Sequence, residues 1–199
     1  EKKAVQPDLN QQLLEAGRQL REVQALTPPA LKDAIEAYTA KHRTVIQDGV
    51  AADDGRFIIY AAGPNDGYGN RLPGVVTAFV WALLTGRVLL IEWRDDKVLM
   101  PHPAPFGTLF SAFGDLEFDV DRVKLTGQSS ATKCNGREIW EEMSTVDLND
   151  KFSKRIIRFN SDDWLFPLLA SNPHYKEQIA TLFPHGRAFH HVGAYLLAL

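Results

Sequence analysis

The chain has 199 residues, 45% apolar and 24% charged, with a formal net charge of −3. That length and apolar content suffice for one well-buried core, and the slight acidity excludes a protein built around gripping nucleic acid or an anionic membrane through a basic face. A single cysteine, Cys134, excludes an internal disulfide and a cysteine-built metal site.

The opening Glu1-Lys2-Lys3 carries no apolar signal segment, and no run has the length of a membrane span. Residues 8–24 place Leu9, Leu13, Leu14, Leu20 and Val23 among Gln, Glu and Arg, the pattern of a polar helix with one apolar stripe. Thr27-Pro28-Pro29 ends it and caps a second helix, in which Leu31, Ile35 and Tyr38 share a face. Asp48 to Gly55 is a polar linker. Residues 1–47 therefore read as an N-terminal helical segment and residues 48–199 as a Rossmann-like α/β domain.

Arg56 to Ala62 is a short apolar segment rich in β-branched and aromatic residues, a buried strand. Gly63 to Arg71 follows as a glycine-rich loop, and Leu72 to Thr85 as a mostly apolar helix with Pro73 in its first turn and Gly86 at its end. Val88 to Trp93 is a second buried strand. The unit has the length of a βαβ crossover, which sets two parallel strands side by side. Its glycine loop then lies where a strand ends and a helix begins, the place at which open α/β folds hold phosphorylated ligands.

Beyond Trp93, prolines 101, 103 and 105 forbid regular structure, and Phe106, Leu109, Phe110 and Phe113 fold the segment back on the domain. Leu116 to Leu125 alternates as an edge strand does, Ser129 to Gly136 reads as loop, and Glu138 to Met143 as a short helix. Arg155 to Phe159 is a further strand, with Asn160 to Asp163 its exit loop and the N-cap of a helix through Ala170. A further helix runs from about Pro173 to Phe183. The apolar run from Gly193 to Leu199 stops without cap or polar tail, as expected of a cut inside a longer protein.

The chemistry concentrates in the Gly63–Arg71 loop. It lacks the Gly-Lys-Ser/Thr of a nucleoside triphosphatase. Gly67 and Gly69 begin a dinucleotide fingerprint, but the third glycine falls late, at Gly74; Glu92, some twenty residues on, sits where a ribose-binding acid would and keeps an NAD(P) oxidoreductase as an alternative. Asn70 and Arg71 argue against it, because adjacent amide and guanidinium groups offer directed donors to a sugar hydroxyl or a phosphate. Asp162 and Asp163, at a strand exit, supply a candidate general base or else helix-start carboxylates. His190 and His191 are neighbours that diverge on a helix, with no third ligand at a metal-binding spacing, and Cys134 has no identifiable base.

Three collinear blocks carry a family resemblance. Gly67-Tyr68-Gly69-Asn70-Arg71-Leu72 leading into Ala82-Leu83-Leu84-Thr85-Gly86-Arg87-Val88-Leu89-Leu90 resembles the Gly-Leu-Gly-Asn-Arg segment and the Ala-Leu-Leu-Thr-x-Arg-Val-Leu-Leu of plant xyloglucan-type α-1,2-fucosyltransferases. Ser161-Asp162-Asp163-Trp164-Leu165-Phe166-Pro167 is similar to that family's Thr-Asp-Asn-Tyr-Phe-x-Pro. Leu182-Phe183-Pro184 with Phe189-His190-His191-Val192-Gly193-Ala194-Tyr195-Leu196 is similar to its Leu-Phe-Pro and Phe-His-His-Leu-Gly-Arg-Tyr-Leu. The resemblance spans about residues 38–197.

It implies an α/β fold, a Rossmann-like parallel sheet with flanking helices that forms one half of a GT-B glycosyltransferase, the acceptor half. It also implies transfer of fucose from GDP-fucose to a glycan hydroxyl with inversion, with no metal or other cofactor, on the lumenal side of the Golgi membrane in cell-wall biogenesis. The partners implied are GDP-fucose and a glycan acceptor, with no nucleic acid, and with the membrane reached only through an anchor absent from this chain. Gly67, Gly69, Asn70 and Arg71 would face the nucleotide sugar, Arg71 would stabilise the departing pyrophosphate, and Asp162 would orient or deprotonate the acceptor hydroxyl. Ala194 stands where the family has arginine, and the loop entry Asn65-Asp66-Gly67-Tyr68-Gly69 is longer, so the expected acceptor differs from xyloglucan. The family's main guanine-nucleotide motif lies beyond Leu199, so this chain is not expected to catalyse transfer alone. The competing reading is a non-catalytic carbohydrate-binding remnant.

Overall fold

The structure, a computed structural model, describes residues 8–47, 55–63, 67–93, 106, 116–123, 125 and 127–196. The expected linker, the proline-rich stretch, and Leu109, Phe110 and Phe113 lie outside the described residues.

Four short strands form one parallel sheet: β1 (Phe57–Ala61), β2 (Val88–Glu92), β3 (Thr132–Asn135) and β4 (Ile156–Asn160), in the order β2-β1-β4-β3. β1 and β2 are buried at every position, as a parallel strand covered on both faces must be. Their pairing, Ile58 with Leu89 and Ile59 with Leu90, is the one the βαβ reading requires. β4 completes the centre, Phe57 pairing with Ile156 and Tyr60 with Phe159.

β3 is a correction, since residues 129–136 read as loop. Only Cys134 of its four residues is buried, and an edge strand this short and polar carries no alternation to detect. The segment after β2 contributes no described strand, only a bridge from Ile91 to Asp119 along the other sheet edge.

Helix α1 spans Leu9–Ala25, α2 Pro29–Gln47 and α3 Tyr68–Thr85. α3 is apolar nearly all round, with residues from Val75 to Ala82 at or near zero exposure, because the sheet packs on one side and other helices on the other. Among those helices is α2, whose Leu31, Ile35 and Tyr38 join the same core. α1 lies further out: Leu14 is 73% exposed, while the C-terminal end of the helix meets the rest of the fold. There Gln24 Nε2 donates to the Ala194 carbonyl at 2.8 Å, and Thr27 Oγ1 lies 3.4 Å from His191 Nδ1.

The remaining helices are α4 (Trp140–Thr145), α5 (Leu148–Lys151), α6 (Phe166–Ser171), α7 (Lys176–Leu182) and α8 (Ala188–Leu196). α6 begins later than the cap read within Asn160–Asp163 would place it, with Leu165 as its N-cap. An earlier start would require Pro167 to donate an N–H it does not have, so the helix opens at Phe166 with the proline in its first turn.

Two buried polar groups fasten the sheet. At the β2 edge, Leu89 N–H donates to the Tyr38 hydroxyl at 3.0 Å, that hydroxyl lies 3.2 Å from His42 Nδ1, and His42 Nε2 lies 2.8 Å from the Glu117 carbonyl. The tautomer that satisfies all three bonds carries its proton on Nε2, and burial holds the His42 pKa down at about 4, so the ring is neutral. At the amino end of the sheet the fully buried Arg87 donates through Nη1 to the carbonyls of Lys154 at 3.0 Å, Arg155 at 3.1 Å and Phe57 at 3.5 Å, and through Nη2 to that of Phe152. Burial pulls its pKa down to about 10, which leaves it charged at neutral pH.

Candidate functional site

The polar residues singled out in the sequence gather at the carboxyl edge of the sheet. α3 starts at Tyr68 with Gly67 as N-cap, earlier than the loop reading allowed, so Gly69, Asn70 and Arg71 form its first turn. Asn70 and Arg71 N–H groups close back on the Gly67 carbonyl at 3.0 and 3.2 Å, leaving those of Tyr68 and Gly69 as the outward donors of the helix end. The early start carries Pro73 deeper than the first turn, where it removes the N–H that would otherwise bond the Gly69 carbonyl.

The two donors chosen from sequence part company. Asn70 is exposed, whereas Arg71 is 3% exposed, its guanidinium carbon 4.9 Å from the centre of the Trp93 ring. The ring face attracts a cation held over it, a role arginine fills more often than lysine.

Tyr60 joins this helix end to the exit of β4. Its hydroxyl lies 3.0 Å from the carbonyl of Arg71 and 3.0 Å from that of Ser161, so one proton serves two segments remote in sequence. Gly74 makes the approach possible, since a Cβ there would stand 2.3 Å from the Ser161 carbonyl oxygen and 2.5 Å from the Tyr60 hydroxyl. Asp162, next in the chain, is exposed at the same edge. Asp163 turns back: its N–H donates to Ser161 Oγ at 3.1 Å and its carboxylate meets Arg137 at 3.5 Å.

Sequence reasoning missed a second group. Arg158, in the middle of β4, forms an ion pair with Glu92 at the end of β2, reaching across β1. Glu92, weighed above as a ribose-binding acid, is 3% exposed and engaged there. The detectable signal was a charge inside an apolar strand, which is rarely left buried without a partner.

Beside Arg158 a cavity of about 190 Å³ opens on the sheet face opposite α3, lined by Ala61, Lys133, Asn135, Glu138, Arg158 and Asn160 among others. Cys134 contributes to its wall, but burial pushes the thiol up to about 12 and makes it unreactive at neutral pH. His190 is exposed and His191 buried, their rings 5.6 Å apart. Among the described residues no three His, Cys, Asp or Glu side chains are grouped to hold a metal ion.

No protein-family model matches the chain. Three plant proteins do: Fucosyltransferase 2 of Arabidopsis thaliana, 25% identical over 65% of this chain; Galactoside 2-alpha-L-fucosyltransferase of Pisum sativum, 27% over 66%; and Probable fucosyltransferase 5 of Arabidopsis thaliana, 26% over 71%. The chain spans under a third of the length of these curated relatives, 28% to 31% of each. A solved structure of a mutant Arabidopsis thaliana FUT1 in complex with GDP shares the fold over 86% of this chain and 47% of its own, with a TM-score of 0.59 at 17% identity. Those matches uphold the α/β assignment, and in sequence the chain is similar to plant fucosyltransferases.

Proposed function

We propose that the chain is the acceptor-side half of a fucosyltransferase that moves fucose from GDP-fucose to a glycan hydroxyl with inversion and without a metal. The observation that carries this is the Gly67–Arg71 turn: in a chain similar overall to plant fucosyltransferases, a glycine-rich sequence ending in Asn70-Arg71 opens a helix at the carboxyl edge of a parallel sheet.

In such a transfer, positive charge builds at the anomeric carbon while negative charge grows on the departing pyrophosphate. The Tyr68 and Gly69 N–H groups and the exposed Asn70 amide offer preorganised donors for that anion. Arg71 acts from beneath, a buried cation over Trp93 whose field is weakly screened. Asp162, exposed beside this turn, is the carboxylate that orients or deprotonates the acceptor hydroxyl. The name of the pea relative makes a galactoside the first acceptor to try. On the same reading the protein works on the lumenal side of the Golgi membrane in cell-wall biogenesis, which immunolocalisation of the tagged native protein tests.

Calorimetric titration with GDP and GDP-fucose is the direct test. Saturable binding of both supports the transferase. Glycan binding without GDP binding would instead favour a carbohydrate-binding protein, and NADH or NADPH binding an oxidoreductase.

A further inference from the structure

The cavity beside Arg158 takes no part in the mechanism above. Strand alternation puts Lys133, Asn135, Arg158 and Asn160 on the sheet face away from α3, with Ala61 and Glu92. Register pairs Lys133 with Arg158 and Asn135 with Asn160 on neighbouring strands.

Their hydrogen bonds determine what they can offer. Asn160 commits one Nδ2 hydrogen to the Ala61 carbonyl at 2.5 Å and keeps Oδ1 as an acceptor. Asn135 commits Oδ1 to the Arg137 N–H at 3.2 Å, which leaves Nδ2 as a donor. Adjacent amides thus present one acceptor and one donor. The Arg158 charge is met by Glu92, and Lys133 and Glu138 both line the cavity with opposite charges, so the lining is close to neutral and carries both donors and acceptors. A nucleoside diphosphate needs excess positive charge, and a volume near 190 Å³ lies below the roughly 300–1,000 Å³ of sites for drug-sized ligands.

We infer that this cavity holds one neutral pyranose ring of a glycan, its vicinal hydroxyls bridging Asn135 and Asn160 with Lys133 and Glu138 closing the rim. The choice of a glycan over other polyols rests on the transferase reading.

Titrating the ¹⁵N-labelled chain with methyl β-galactoside, and separately with GDP, tests it. The sugar is expected to bind in the millimolar range and to shift amides around Asn135, Glu138 and Asn160. Lys133→Ala and Glu138→Ala, both at exposed positions, should each weaken the sugar about tenfold and leave the GDP titration unchanged. Sugar affinity within twofold of wild type in both variants, sugar shifts elsewhere on the chain, or GDP shifting the same amides would overturn the inference. Sugar binding at these amides with no GDP binding anywhere would uphold the cavity and count against donor contacts at the Gly67–Arg71 turn.

Discussion

Gly74 and Tyr60 do jointly what neither residue type announces alone. The Tyr60 hydroxyl is shared between two carbonyls, and the missing Cβ of Gly74 lets α3 come close enough for that sharing. Gly74→Ala should cost about 3 kcal/mol, because its methyl group meets backbone that cannot yield, and Tyr60→Phe about 1–2 kcal/mol through the lost hydroxyl; urea unfolding measures both. Arg71 and Asn70 should separate in the same assay. Arg71→Ala, which empties the space over Trp93, is expected to lose about 2–3 kcal/mol, and Asn70→Ala to stay within about 0.5 kcal/mol of wild type while weakening GDP. The chemical character of Arg71 was legible in the sequence, but its burial was not, since the distant Trp93 decides it. Glu92 was legible as an acid ending a strand, yet its engagement by Arg158 depends on β4 inserting beside β1, which no local pattern records.

Among elements, the outcomes follow the strength of the local signal. β1, β2 and β4 were readable because a buried parallel strand is a dense apolar run, whereas β3 supplies one buried side chain in four and is held by its neighbour rather than by its own composition. The helix starts were misplaced for a backbone reason: Gly67 caps α3 through its conformation without a side-chain bond, and Pro167 delays α6. The relay from Leu89 through Tyr38 and His42 to Glu117 carries a pH dependence. Its His42 pKa is depressed from the ordinary 6.5 to about 4, so the unfolded chain binds the extra proton between those values. Stability is therefore fully present above about pH 6.5 and declines as pH falls toward 4, by up to about 3 kcal/mol. His42→Gln should flatten that limb in urea unfolding followed across this range.

For the whole molecule, the resemblance lay in three blocks separated along the chain, and the sheet brings two of them, at Arg71 and Ser161, onto one tyrosine hydroxyl. Ligand linkage gives a test at this scale. If GDP binds the folded chain alone, a concentration of about a hundred times Kd adds about 2.7 kcal/mol, a rise in Tm of about 5–10 °C by thermal unfolding, and no rise would remove the Gly67–Arg71 turn from the proposed donor contacts.

The Arg87 guanidinium joins carbonyls of residues 57, 152, 154 and 155, and so ties the first strand to the last across about half of the chain. Neither strand can peel from the sheet while that grip holds. In deuterium exchange, the amides of Phe57 and Val88, whose acceptors are the Arg155 and Arg56 carbonyls beside it, should be among the slowest of the chain, exchanging only when the entire domain opens.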